Sequence, residues 1–229
     1  MLTTVEAIHA IRQAMPAFDG ETVALDESIG RVLRQPVHAE RDQPPVDRVM
    51  MDGIAIRFAD FDDGRREFPI QSRKHAGDAA HTLDAGNCIE IMTGACLPVG
   101  ADCIVPVERI SVSDGVAKIE AGYGAELRQH IHARGSDHTE GAQLLRPGAR
   151  IAAADIAIIA SAGLPQVEVS RLPTIRVIST GNELVPAGQP IEAHQIRESN
   201  GPAVVAMLRQ HGYSDCAHDH LVDDVAVLE

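Results

Sequence analysis

A chain of 229 residues with 45% apolar content can fill the core of one large domain or of two to three small ones. Its 33 acidic residues against 20 Lys and Arg give a net charge of −13, and aromatics are 3% with no Trp; a phosphate backbone is repelled and bases find no stacking platform, which speaks against nucleic acid as a partner. Four cysteines without C-x-x-C spacing, no charged start leading into an apolar run, and no stretch of about 18 uninterrupted apolar residues speak against a secreted disulfide scaffold, export and membrane spanning, and point to reduced thiols in the cytoplasm.

Thr3 and Glu6 have the spacing of a capping box, and Val5, Ile8, Ile11 and Met15 recur at helical intervals before Pro16, which predicts an amphipathic first helix. Thr22 to Leu25 reads as a strand, and after a turn and Gly30 a second follows at Arg31-Val32-Leu33, with Gln35 to Ala39 extended because a residue before proline is held out of the helical region. Charge and proline from Glu40 to Asp47 mark a domain boundary. Gly53 lets the backbone turn beside Asp52, and Ile54 and Ile56 alternate as a strand should, so Asp52 stands at a strand edge as a presented carboxylate or as an ordinary turn aspartate bonding its own backbone.

Phe68 to Ile119 looks all-β, with short apolar runs at Cys88 to Met92, Cys103 to Val107 and Val116 to Ile119 separated by glycine, proline and aspartate. In the loop after the first run, Thr93 beside Gly94 offers a hydroxyl as oxyanion contact or metal ligand, or else a plain turn. His130-x-His132 and His218-x-His220 have the two-residue spacing that puts imidazoles on one face of a strand, which raises zinc; no cysteine or carboxylate stands at ligand spacing to support it. Arg134-Gly135-Ser136-Asp137 displays an arginine and an acid around a glycine turn.

Ala152 to Ala162 is a helix closed by Gly163 and Pro165, and Val167 to Val169 is a strand whose character matches residues 21 to 39, so those two segments pair with the β-rich region inserted between them. Arg176-Val177-Ile178 reads as a central parallel strand covered on both faces, running into Ser179, Thr180, Gly181, Asn182 and Glu183 at its carboxyl end, where open α/β sheets bind ligands. Ser199-Asn200-Gly201-Pro202 caps a helix with Val204, Val205, Met207 and Leu208 on one side; His218 to Val222 is the next strand and Asp223-Asp224 the next helix start.

Taken in order, Asp26 to Ala39, Met51-Asp52-Gly53, Ile91 to Ala95, Gly100-Ala101-Asp102 with Glu108, Arg134 to Asp137, Ser179 to Leu184 and Ser199-Asn200 resemble the molybdopterin molybdenumtransferase family, the MoeA and gephyrin E-domain type. The resemblance implies a mixed α+β and α/β multidomain fold. Its parts are a discontinuous linker domain (1–40 and 137–172, with the first helix able to pack on the α/β domain), an inserted β-rich domain (41–136) and the start of a MogA-like α/β domain (173–229). It also implies a homodimer with its active site between the inserted domain of one subunit and the α/β domain of the other, and insertion of molybdate into adenylylated molybdopterin with Mg²⁺ assistance and release of AMP. By motif the catalytic residues are Asp52, Thr93, Asp137 and Glu183, the cofactor-binding residues Gly94, Arg134, Ser179, Thr180, Gly181, Asn182, Ser199 and Asn200, and the Mg²⁺ ligands Glu183 and Asp224. Other molybdenum cofactor biosynthesis proteins are further expected partners. Arg134, or the backbone N–H groups around Thr93 and Gly94, are the expected anion contacts.

The chain departs from the family pattern at Val49, Ile54 and His132, where serine, an aromatic and arginine are common. It stops at Glu229, ahead of the family's glycine- and serine-rich loop and C-terminal domain, so the 229-residue chain is expected to be inactive alone; a non-catalytic dimerisation or scaffold fragment is the alternative.

Overall fold

The computed structural model describes residues 2–16 and 18–223. It is a mixed α/β chain that divides into two compact units, one of Met1–Pro36, Leu145–Ala160 and Leu164–Glu229, the other of Val37–Leu144 with Ser161–Gly163. Four helices occur among the described residues, α1 at Thr4–Ala14, α2 at Phe58–Asp62, α3 at Ala153–Ser161 and α4 at Asn200–Gln210.

The second unit is built on a six-stranded sheet in the order Cys103–Pro106, Gly53–Ile56, Cys88–Ile91, Glu67–Lys74, Val116–Ile119, Ile110–Ser113. Glu67–Lys74 and Cys88–Ile91 run parallel; the other neighbours are antiparallel. The strands alternate faces, and both faces are buried. Ile54 and Ile56 join Phe61, Phe68, Val105 and Ile119 on one side, while Ala55 joins Val49, Ile89, Ile91 and Ile104 on the other. Each fully buried Ile here contributes roughly 1.5–3 kcal/mol, so this sheet holds the unit together. The short helix α2 was not legible in the sequence; it lays Phe61 onto the first of these clusters. Among the described cysteines none is bonded to another, and burial pushes the Cys88 and Cys103 thiols up to about 12, with Glu90 and Asp102 adding to the shift. Both stay protonated and unreactive.

In the first unit Gly20–Ala24 pairs antiparallel with Gln166–Ser170, and Arg31 is held between Glu21 and the Ser170 carbonyl. Arg31-Val32-Leu33 is not a full strand: Val32 and Leu33 make only isolated bridges, to Arg150 and Val169. The capping box at Thr3 and Glu6 forms as expected, with Glu6 accepting from the Thr3 N–H and Thr3 Oγ1 from the Glu6 N–H. Ile175–Thr180 runs parallel to Cys216–Leu221, with α4 packed on both strands.

Two expectations about this α/β part need correcting. The strand at Arg176-Val177-Ile178 is not covered on both faces: burial alternates along it, and Ile178 is 57% exposed. Among the described residues one helix and one neighbouring strand cover it, which shields a single face. The apolar side of α4 is likewise narrower than expected. Gly201 and Val205 are buried and Leu208 partly so, but Val204 and Met207 are exposed, because positions one apart lie about 100° around a helix.

Candidate functional site

Asp52 ends the turn into Gly53–Ile56, and the antiparallel register that sets Gly53 against Ile91 carries Asp52 to the residues just after Ile91. There the Asp52 carboxylate accepts two bonds from one residue, from Thr93 N–H and from Thr93 Oγ1, both at 2.7 Å. It is therefore not a turn aspartate bonding its own backbone; it bridges two loops 41 residues apart. The Thr93 N–H, and after it the Thr93 hydroxyl, hold the Asp52 carboxyl below the usual carboxylate range. A depressed carboxyl contributes stability that is complete above its unfolded pKa and is lost as pH falls through the folded one. Thr93→Val, which deletes the hydroxyl but keeps the N–H, is expected to raise the Asp52 pKa only part of the way back. Carbon-detected NMR titration checks this: a pKa that does not move shows that the hydroxyl has no grip on the carboxylate.

The strand Arg48–Val49 lies between the segment that leads to Asp137 and the loop that carries Thr93. On one side it pairs with Ile131–His132; on the other Gly94 N–H donates to the Val49 carbonyl at 2.8 Å and Val49 N–H to the Ala95 carbonyl at 3.0 Å. Val49 is buried against this core, a place where a methyl-bearing side chain packs and a hydroxyl would need a partner. These bonds also correct an expectation. The N–H groups of Thr93 and Gly94 are spent, on Asp52 and on Val49, and do not face outward as anion donors.

Arg134 is the other residue expected as an anion contact. Its Nε donates to Asp42 Oδ2 at 2.6 Å and its backbone N–H to Asp47 Oδ1 at 2.8 Å, while Asp47 also accepts from Arg128 Nη1 at 2.7 Å. The side chain is 65% exposed with its Nε anchored on Asp42, so the guanidinium is accessible from solvent. Asp137 sits across the same turn, 2.9 Å from His132 Nε2, where the imidazole is a charged partner only when protonated. His130 and His132 do not form a zinc site with a third ligand: His132 is taken by Asp137, His130 lies 3.0 Å from the Gln129 amide nitrogen, and no group of three or more His, Cys, Asp or Glu side chains comes together among the described residues.

In the other unit, the carboxyl end of Ile175–Thr180 opens into a cleft of about 430 Å³. Ser179, Thr180, Glu183, Glu198, Ser199 and Asn200 line it. Gly181 and Asn182 do not; they hold the loop, the Gly181 carbonyl meeting His220 Nε2 at 2.8 Å and Asn182 Oδ1 accepting from Asp223 N–H at 3.1 Å. Ser199 is the residue before α4, but its side chain makes no cap bond, which leaves the hydroxyl to the cleft. Asp224 lies outside the described residues. The signal that reading the sequence missed is Glu198, a carboxylate beside the Ser199-Asn200 pair, together with its neighbour His218, whose spacing to His220 suggests a metal site yet whose ring is 2.9 Å from Ser179 Oγ.

Comparison with known proteins bears on both units. A family model described as the MoeA N-terminal region (domain I and II) matches residues 2–163. Molybdopterin molybdenumtransferase of Synechocystis sp. is 35% identical over 229 residues, taking in all of this chain and 59% of that protein; the Staphylococcus epidermidis protein of the same name is 32% identical over 237 residues, with 100% and 56% covered. The chain thus spans a little over half the length of these relatives. A crystal structure of a molybdopterin biosynthesis moea protein from Pyrococcus horikosii superimposes with a TM-score of 0.82 at 26% identity, covering 100% of this chain and 59% of that one.

Proposed function

The chain belongs to the MoeA N-terminal region family, and from that premise we propose that it acts in molybdenum cofactor biosynthesis, as the part of a transferase that inserts molybdate into adenylylated molybdopterin and releases AMP. The observation that carries this reading is the cleft at the end of Ile175–Thr180, where five of the motif residues, Ser179, Thr180, Glu183, Ser199 and Asn200, line one wall system although two of them are separated from the rest by 15 or more positions. Relatives of this chain are named molybdopterin molybdenumtransferase, which supports a transfer of molybdenum to molybdopterin.

In this reading residues 1–40 and 137–172 form a discontinuous linker domain, 41–136 the inserted domain, and 173–229 part of a MogA-like α/β domain that takes the pterin. The separate compactness of Val37–Leu144 supports the insertion. The protein works as a cytoplasmic homodimer, with Asp52, Thr93, Arg134 and Asp137 of one subunit facing Glu183 of the other, and it exchanges substrate with other proteins that build the cofactor.

Each residue's chemistry suits its part. Molybdate is an anion and goes to the accessible guanidinium of Arg134, not to the carboxylates. Asp52, ionised and aimed by Thr93, and Asp137, paired with His132, order water and substrate donors. Glu183, with Asp224 as a second ligand, takes Mg²⁺. The donor set fits that ion: the cleft offers carboxylate and hydroxyl oxygens without a closed protein cage, and Mg²⁺ is commonly held by one or two carboxylates with waters and substrate phosphates. When bound, Mg²⁺ supplies charge neutralisation at the phosphate anhydride. The residues themselves bind and orient. The test is to supply adenylylated molybdopterin, molybdate and Mg²⁺ to the complete protein and to quantify AMP and active cofactor. AMP well above background is expected; none above background overturns the reading and favours a scaffold.

A further inference from the structure

Glu198 holds an acceptor that nothing in the protein satisfies. Its side chain is only 7% exposed, and Oε1 has no hydrogen-bond partner. His218 Nε2 lies 2.9 Å away, but the same nitrogen is 2.9 Å from Ser179 Oγ, and the aligned bond is the one to serine. A ring nitrogen carries at most one proton, so it cannot serve both oxygens fully. Nor is this a nucleophile relay, in which the carboxylate and the hydroxyl take opposite nitrogens of the imidazole. A carboxylate withdrawn from water and short of a donor is costly, and the cost is recovered when a ligand supplies one.

The surroundings say what kind of ligand that is. Glu183 and Glu198 both line the cleft, and Arg197 on its wall spends Nη1 on the Pro186 and Gln189 carbonyls. With Arg197 committed to carbonyls, the buried Glu198 carboxylate disfavours a phosphate directly beside it and favours N–H donors. A carboxylate accepts best from two parallel donors, the arrangement of an exocyclic amino group next to a ring N–H. The acceptor is also rigidly placed. Gly201, buried in the first turn of α4, sits so close to the His218 ring that a Cβ there would overlap it, and the ring, 15% exposed, packs in turn on Glu198.

We propose that Glu198 is the specificity-determining residue of this cleft and takes the 2-amino and N3–H edge of a 2-amino-4-oxopteridine, with His218 as its positioning residue. The inference rests on the pterin reading of the α/β part and adds to it the residue and the edge that are matched. A site built around a buried acceptor rejects the analogue that lacks the donor more strongly than it gains from the one that has it.

Titration calorimetry with two probes tests it, 6-hydroxymethylpterin and its 2,4-dioxo counterpart 6-hydroxymethyllumazine, in which a carbonyl replaces the amino group. The protein is expected to prefer the amino compound by about tenfold or more. Glu198→Gln, which presents one acceptor and one donor, and Glu198→Asp, which withdraws the carboxylate, are each expected to reduce that preference to about threefold or less, with melting temperature reporting that the fold is intact. Two variants are used so that a folding defect in one leaves the other decisive. Equal binding of both probes by the unmodified protein, or a preference that survives both substitutions, overturns the assignment while the pterin reading stands. Binding of neither probe overturns both. A Glu198→Gln protein that loses affinity for Mg²⁺ titrated alone but keeps the pteridine preference identifies Glu198 as a cation ligand instead, which also overturns the proposal.

Discussion

Gly53→Ala is expected to cost the Val37–Leu144 unit about 3–5 kcal/mol and to lower its melting temperature by roughly 10 °C or more. Gly53 is the first residue of an inner strand of the six-stranded sheet, flanked by Cys88–Ile91 and Cys103–Pro106. A Cβ built there would overlap the Val105 carbonyl oxygen and stand 2.9 Å from its carbon and 3.0 Å from the Pro106 carbon. All three atoms belong to the backbone of the neighbouring strand, so relief requires parting the two strands. That would break the ladder, disturb Ile54 and Val105 in the core, and release the turn that aims Asp52. Gly64→Ala is the comparison: φ is +96° there, but nothing lies within 4 Å of the added carbon, so only backbone strain of about 1–2 kcal/mol is expected. A thermal melt of both variants separates crowding from strain. If Gly53→Ala melts no lower than Gly64→Ala, the close approach at Val105 does not limit the fold.

The second large effect is on the proposed transfer. Asp52→Ala in the complete protein is expected to reduce AMP release by about 10²–10³-fold. The substitution removes an ionised group and also leaves the Thr93 N–H and hydroxyl without their partner, so charge and loop geometry change together. Asp52→Asn tells them apart, because an amide oxygen still accepts from Thr93 while the charge is gone. The asparagine variant is expected to melt within a few degrees of the unmodified protein and to be nearly as impaired as the alanine variant. Activity within about threefold of normal would show that Asp52 serves only to tie two loops.

How much of this was legible in the sequence varies from element to element, for physical reasons. The capping box at Thr3 and Glu6 is local chemistry, closed within one helical turn, and it formed as read. The alternation of Ile54 and Ile56 marked a strand, and Gly163 and Pro165 marked the end of α3. The ordered motif blocks were enough to identify the family that the comparisons show. Where a reading failed, a partner distant in sequence decided. Thr93 N–H reads as a free anion donor until the register of Gly53 against Ile91 brings Asp52 to it. His218-x-His220 suggests shared metal ligation by its period, yet parallel pairing with Ile175–Thr180 sends one ring to Ser179 and the other to the Gly181 carbonyl.

The chain's own order of residues determined the class of protein, its acidic surface, the local starts and stops of its elements and the set of chemically useful side chains, because each of these depends on composition or on neighbours within a few positions. Only the tertiary structure decided which of those side chains are already engaged and which are left open. Thr93, Gly94 and Asn182 turn out to be committed to other parts of the protein, the Arg134 side chain is anchored at Nε with its guanidinium accessible from solvent, and Glu198, unremarkable in the sequence, is buried with an oxygen unsatisfied. Hydrogen-bond partners across strand registers and tens of residues of chain set those states, and no local pattern encodes them.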